Sequence, residues 1–256
     1  MSLPLGRPLR YADHPLVAEI PPTAGRVDTS TLSPQGPPVP LVDDLEALRS
    51  ESFDPSEVHP RLRDFFEGPR SRVVLERVRW ARWALPLGAV YAPLAERLGN
   101  LRVPLHLEEP RPMASAVRAY GDARSWTRCF SGDASLFYTG ALRTWRRPDG
   151  ASSYLSMTFP FPYVQLLVVL RLTSPSGGLV GRSAGDGVAG TYLIVPGARR
   201  FVALPGPPTE ETLRFTVEGE RLRCRHEDRL LGRLAFQLDY GLDEGDRRAA
   251  TTLEVR

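Results

Sequence analysis

"FPFPYVQLLVVLRL", residues 159–172, begins as an aromatic–proline alternation and ends as a nearly unbroken apolar run. Its uncharged core, Val164 to Leu170, is seven residues long. A membrane-spanning helix needs about 20 apolar residues, so this run is too short for one and suits an ordinary strand. Apolar side chains occupy both faces over most of that length. A strand with one wet face would alternate, so this one is expected to be covered on both sides. Proline has no amide donor to give a central strand, which puts Phe159-Pro160-Phe161-Pro162 at a strand boundary as an aromatic rim. The stretch reads as a central strand at the edge of a cavity.

Strand signals spread outward from it. Further strands are expected near 72–78, 102–108, 115–120, 125–130, 134–146, 152–159, 190–195 and 199–204. "ETLRFTVEGERLRCRHE" (211–227) reads as a hairpin. In "GRLAFQLDYGL" (232–242), Leu234, Phe236, Leu238 and Tyr240 alternate with Ala235, Gln237 and Asp239. "TTLEV" (251–255) is a candidate closing strand.

Helical signals come earlier. Pro60 suits the first position of a helix, with Leu62, Phe65 and Phe66 on one face and Gly68-Pro69 ending it. In 80–100, Trp83, Leu87, Val90, Tyr91, Leu94 and Leu98 share a helical stripe, and Pro86 and Pro93 should kink or divide it. The fold expected is α+β and β-dominated. A large antiparallel sheet curves into a lipocalin-like barrel or half-barrel, with N-terminal helical segments packed on one end or face. Residues 1–50, with nine prolines in the first forty, read as an extended or disordered leader, and 51–256 as a single β-rich domain with helical segments within 57–98.

Composition excludes several chemistries. All 33 basic residues are arginine, so no lysine nucleophile or Schiff base is available. A formal charge of +3 is too small to argue for nucleic acid, and none is expected as a partner. The two cysteines, Cys129 and Cys224, make neither a disulfide framework nor a thiolate metal site. No signal peptide is visible, so the expected location is cytoplasmic.

Five motifs resemble those of an uncharacterised bacterial family, the domain of unknown function family 4166. They are "HPRLRDFFE" (59–67), "LGNLRVPLHLE" (98–108), "SWTRCFSG" (125–132), "MTFPFPYVQLLVVLRL" (157–172) and "LLGRLAFQLDYGL" (230–242). The resemblance covers about residues 55–245. It supports the fold and brings no catalytic residue, because that family has no established activity.

Individual motifs say less about chemistry. "GDGVAG" (185–190) matches the dinucleotide fingerprint, but a strand-like run follows where a helix is required, so no cofactor is expected. No histidine pair has metal-ligand spacing, and no metal site is expected. His226 shares a strand face with Leu222 and Cys224, so it points inward if the leucine face does. It could act as a general base, or it could be an ordinary interior histidine. Arg221, Arg223 and Arg225 take the opposite face, either as an anion platform or as a solvated outer surface. Trp126 and Arg128 in "SWTRCF" could clamp a ligand, or serve as a core tryptophan with a snorkelling arginine.

The function expected is binding of a hydrophobic small molecule or lipid inside the curved sheet. Candidate ligand-binding residues are Trp126, Arg128, Phe137, Phe159, Phe161, Phe236 and His226. The alternative is an isomerase, cyclase or hydrolase using the same cavity, with His226, Asp239, Tyr240 or Asp64 as its titratable group. A third reading is a membrane-surface or partner-binding module, with peripheral contact through 80–98, where Trp80 and Trp83 are flanked by arginines.

Overall fold

The computed structural model describes residues 3–20, 36–68, 72–98, 103–133, 135–161, 163–185, 187–197 and 199–243. The candidate strand 251–255 lies outside them.

Among the described residues thirteen strands form one antiparallel sheet, and ten of them close into a barrel. In chain order the strands are β1 (Pro8–Arg10), β2 (Arg72–Trp80), β3 (Arg111–Tyr120), β4 (Ala123–Phe130), β5 (Leu136–Arg146), β6 (Ser153–Pro160) and β7 (Gln165–Thr173). They continue as β8 (Leu179–Arg182), β9 (Gly190–Pro196), β10 (Arg200–Pro205), β11 (Thr209–Glu218), β12 (Arg221–Leu230) and β13 (Arg233–Asp243). Two α-helices, α1 (Pro60–Glu67) and α2 (Leu85–Leu98), interrupt the early chain. The β-dominated, lipocalin-like barrel expected from the sequence is present.

The opening stretch explains how the barrel closes. β7 pairs with β6 along one edge. Its other edge is shared: Gln165–Val169 pairs with β9, and Arg171–Thr173 pairs with β8. β8 carries the ring on to β11, while β9, β10 and β1 branch away from it. Gly181 sits at this seam, where a Cβ would lie 3.2 Å from the Cβ of Leu170, so a side chain there would push the two strands apart.

β7 is covered on both sides, as its composition implies. Leu166, Val168 and Leu170 face the barrel interior. Leu167 and Val169 join a second core with Tyr11, Leu16, Ile194 and Phe201. The proline-rich leader supplies part of that cover. Its irregular backbone is tied down by side chains of the sheet, with Ser156 Oγ donating to the carbonyl of Leu16 at 2.7 Å and Gln165 Nε2 to that of Ile20 at 2.8 Å. Pairing its carbonyls in this way avoids the cost of buried unsatisfied acceptors.

The expected strand at 102–108 does not form: its described residues, 103–108, lie outside the strands. The carbonyl of Pro104 accepts a hydrogen bond from Trp80 Nε1 at 2.9 Å, so this segment packs on the end of β2. α2 also differs from expectation. Pro86 falls in its first turn, where the missing donor costs nothing, and the helix runs on past Pro93. Its buried positions include Ala84 just before the helix, Gly88 and Ala95, whereas Leu87 and Val90 face outward at 52% and 74% exposure. A Cβ on Gly88 would come within 2.9 Å of both Trp80 and Leu105, so the helix approaches through its small residues.

Candidate functional site

The barrel encloses an aromatic-rich cavity of about 200 Å³. Side-chain alternation builds its walls. On β4, Trp126 and Arg128 point in; on β12, Cys224, His226 and Asp228; on β13, Phe236 and Tyr240. Phe159 is the last residue but one of β6, and Phe161 follows the strand at the rim. Trp80 and Phe236 pack at the ends of β2 and β13 with ring centres 5.0 Å apart.

Of the ligand-binding candidates read from the sequence, Trp126, Arg128, Phe159, Phe161, Phe236 and His226 line this one cavity. Phe137 does not. It is the unpaired residue of a bulge in β5, opposite Arg128/Cys129, and packs in the core against Phe130 at 5.4 Å. Among the acid–base candidates, Tyr240 and His226 both line the cavity, Tyr240 directly opposite Cys224. Asp239 must face the other way because Tyr240 faces in, and it pairs with Arg225 at 3.0 Å on the outer surface. Asp64 is exposed on α1, whose buried face is Leu62, Phe65 and Phe66. His59 caps that helix, its Nδ1 accepting from the amide of Arg61 at 3.2 Å.

Two ionisable groups dominate the site, one basic and buried, one acidic and half-buried. Arg128 is 6% exposed, and its guanidinium lies 4.2 Å from the centre of the Trp126 ring, 5.3 Å from Tyr138 and 5.5 Å from Tyr240. Among the described residues it has no carboxylate in ion-pair contact, and its Nε has no hydrogen-bond partner. The rings solvate the cation from their faces. The other buried arginine, Arg143, differs: it pairs with Asp122 and donates to the carbonyl of His14.

The second charge is acidic. Asp228 on β12 stands directly opposite Glu211 on β11. Like charges facing each other across strands repel. Burial first, and then the Glu211 carboxylate, pushes the Asp228 carboxyl up to about 7, with His226 acting in the opposite direction. His226 Nε2 lies 3.6 Å from Glu211 Oε2. Burial also drives the Cys224 thiol up to about 12, which rules it out as a thiolate nucleophile near neutral pH.

Reading single residues missed Glu211 and Asp228, although the sequence carried the signal. The inward alternation of Leu222, Cys224 and His226 continues to Asp228. The two-residue turn at Gly219-Glu220, with Gly219 at φ +61°, then sets Glu211 opposite it.

One relative is an uncharacterised membrane protein, YndJ, of Bacillus subtilis (strain 168), 25% identical over 213 residues covering 79% of this chain. The chain spans 38% of that relative's length. No family model and no solved structure matches the chain. The relative supports kinship with uncharacterised bacterial proteins, but a place in family 4166 has no matching family model behind it. The cytoplasmic expectation is corrected, because this relative is named a membrane protein. Among the described residues no helix is long and apolar enough to cross a membrane, which says nothing about crossing by strands.

Proposed function

We propose that the barrel binds a hydrophobic small molecule or lipid in its interior. The observation that carries this is the aromatic-walled cavity in the barrel with a few polar groups converging on it, the usual make-up of a small-molecule site. Arg128 gives the site a cationic end, suited to an acidic head group on an apolar body. The test is saturable displacement of an aminonaphthalene dye by dodecanoic acid. Leu166→Trp, which fills the cavity from its wall, should abolish displacement while leaving the circular dichroism spectrum unchanged. Absence of saturable binding, or binding indifferent to Leu166→Trp, overturns the reading.

A lipid surface is the proposed source of that ligand. β2, β4, β6 and β12 all run toward one end of the barrel, where α2 exposes Leu87 and Val90. At the same end Tyr163 is 66% exposed in the β6–β7 turn, and Leu231 is 74% exposed in the β12–β13 turn. The exposed Arg79, Arg82 and Arg233 suit anionic head groups. Membership of family 4166 stays part of this proposal, on the five sequence motifs alone.

The alternative reading, a small-molecule isomerase, cyclase or hydrolase, is favoured by one observation. Glu211, His226 and Asp228 bring proton-transfer groups onto one wall of an otherwise apolar cavity. Turnover of a bound ligand that co-purifies with the chain, lost in His226→Gln, would decide for it.

A further inference from the structure

The acidic pair and His226 have a geometry that ligand binding does not require. Glu211 is the cross-strand partner of Asp228, and His226 is two residues before Asp228 on the same inward face. One ligand atom from each of the three lies within 4.8 Å of the other two. His226 is 9% exposed, and its Nε2 has no hydrogen-bond partner among the described residues. A buried donor or acceptor left unmatched is costly, so something is expected to occupy it.

We propose that Glu211, His226 and Asp228 form a divalent-cation site whose open coordination position faces the apolar cavity. The separation of His226 and Glu211 fits two ligands of one ion, and Asp228 lies within reach of both. Zinc–nitrogen and zinc–oxygen bonds of about 2.1 Å put two ligand atoms of a tetrahedral ion about 3.4 Å apart. His226 Nε2 and Glu211 Oε2 are already 3.6 Å apart. The pleat supplies this arrangement without loops: positions 226 and 228 share a face, and 211 faces 228 across the ladder.

Charge argues the same way. Two carboxylates held opposite each other in an apolar cavity repel, and a divalent cation makes the group neutral. A shared proton is the competing solution, and it leaves His226 Nε2 without a bond. The donor set, one imidazole nitrogen and two carboxylates with no thiolate, suits zinc, iron(II) or manganese(II) rather than copper(I). Three protein ligands with a fourth position open to a cavity are typical of sites that bind or activate a small molecule, whereas structural zinc sites are closed by four ligands.

The test uses the full chain, stripped with a chelator and titrated separately with zinc and with manganese. Bound metal is measured by elemental analysis after gel filtration, and manganese also by electron paramagnetic resonance. One ion per chain is expected. Glu211→Gln, Asp228→Asn and His226→Gln should each weaken it by at least about tenfold, the low end of what even an outer-shell change costs. Asp239→Asn, a carboxylate on the outer face of the adjacent strand, should leave it unchanged. Circular dichroism of each variant separates loss of ligands from loss of fold. Failure to bind either metal stoichiometrically overturns the proposal, as does binding that survives Asp228→Asn and His226→Gln in folded protein. If Asp228→Asn raises stability in a chain that takes up no metal, the wall holds a shared proton instead. Ligand binding in the cavity is read separately, so a failed metal titration leaves that proposal standing.

Discussion

The two ends of the barrel carry helices that differ in what they bury. At one end α1 sinks Leu62, Phe65 and Phe66 into the core, and Phe66 meets Phe215 edge-on at 4.9 Å. Its neighbours on the chain, Leu45, Leu48, Phe53 and Val58, are buried with it. At the other end α2 approaches the barrel through Ala84, Gly88 and Ala95 and turns Leu87 and Val90 to the outside. Hydrophobicity does not decide which helix is sunk: α2 is the more apolar of the two, and yet α1 buries the larger side chains. Large side chains weld the first helix in place. Small ones let the second sit close, with Tyr91 reaching the cavity and Leu87 and Val90 left facing outward.

This contrast predicts a ranking of effects. Phe66→Ala should cost about 3–5 kcal/mol, the range for removing a packed aromatic ring, measured by urea unfolding. A loss below about 1 kcal/mol would mean that α1 is not the seal it looks to be. The double change Leu87→Ser, Val90→Ser should stay within about 0.5 kcal/mol of the parent protein, as surface substitutions do. It should nevertheless weaken sedimentation with anionic vesicles. An unfolding cost similar to that of Phe66→Ala would show that these residues are covered in solution, and would break the comparison.

An intermediate effect is expected from the leader. His14 is buried, and burial first, then the Arg143 guanidinium, lowers its pKa to about 4 from an ordinary 6.5. The folded protein thus keeps His14 neutral where the unfolded chain protonates it. Stability from this residue is intact above pH 6.5 and falls as the pH drops from there toward 4. Between pH 7 and pH 5 the loss is about 2 kcal/mol. His14→Gln should flatten the pH dependence by that amount, whatever its effect at pH 7. Parallel curves for the two proteins would show that the leader is not held against the sheet.

Much of this architecture was legible in the sequence because strands report their faces by alternation. β4, β7, β12 and β13 were readable residue by residue, and the inward set from Trp126 to Tyr240 followed. The failures share a physical cause. Alternation in 102–108 imitated a strand, but Pro104 and the hydrogen bond from Trp80 hold that chain outside the sheet. The apolar composition of α2 was legible, but which face a helix buries depends on what it meets. The indole of Trp80 leaves room only for Gly88. Phe137 was misplaced because the bulge at Arg128/Cys129 shifts the register by one residue. Glu211 needed the pairing of two strands, which no single segment shows.

The central claim is that the barrel interior is a binding site. Native mass spectrometry of freshly purified full-length chain tests it most directly. A co-purified apolar molecule, released on denaturation and absent from Leu166→Trp, is expected. A parent chain that carries only its own mass, and that takes up no dodecanoic acid when it is offered, would contradict it.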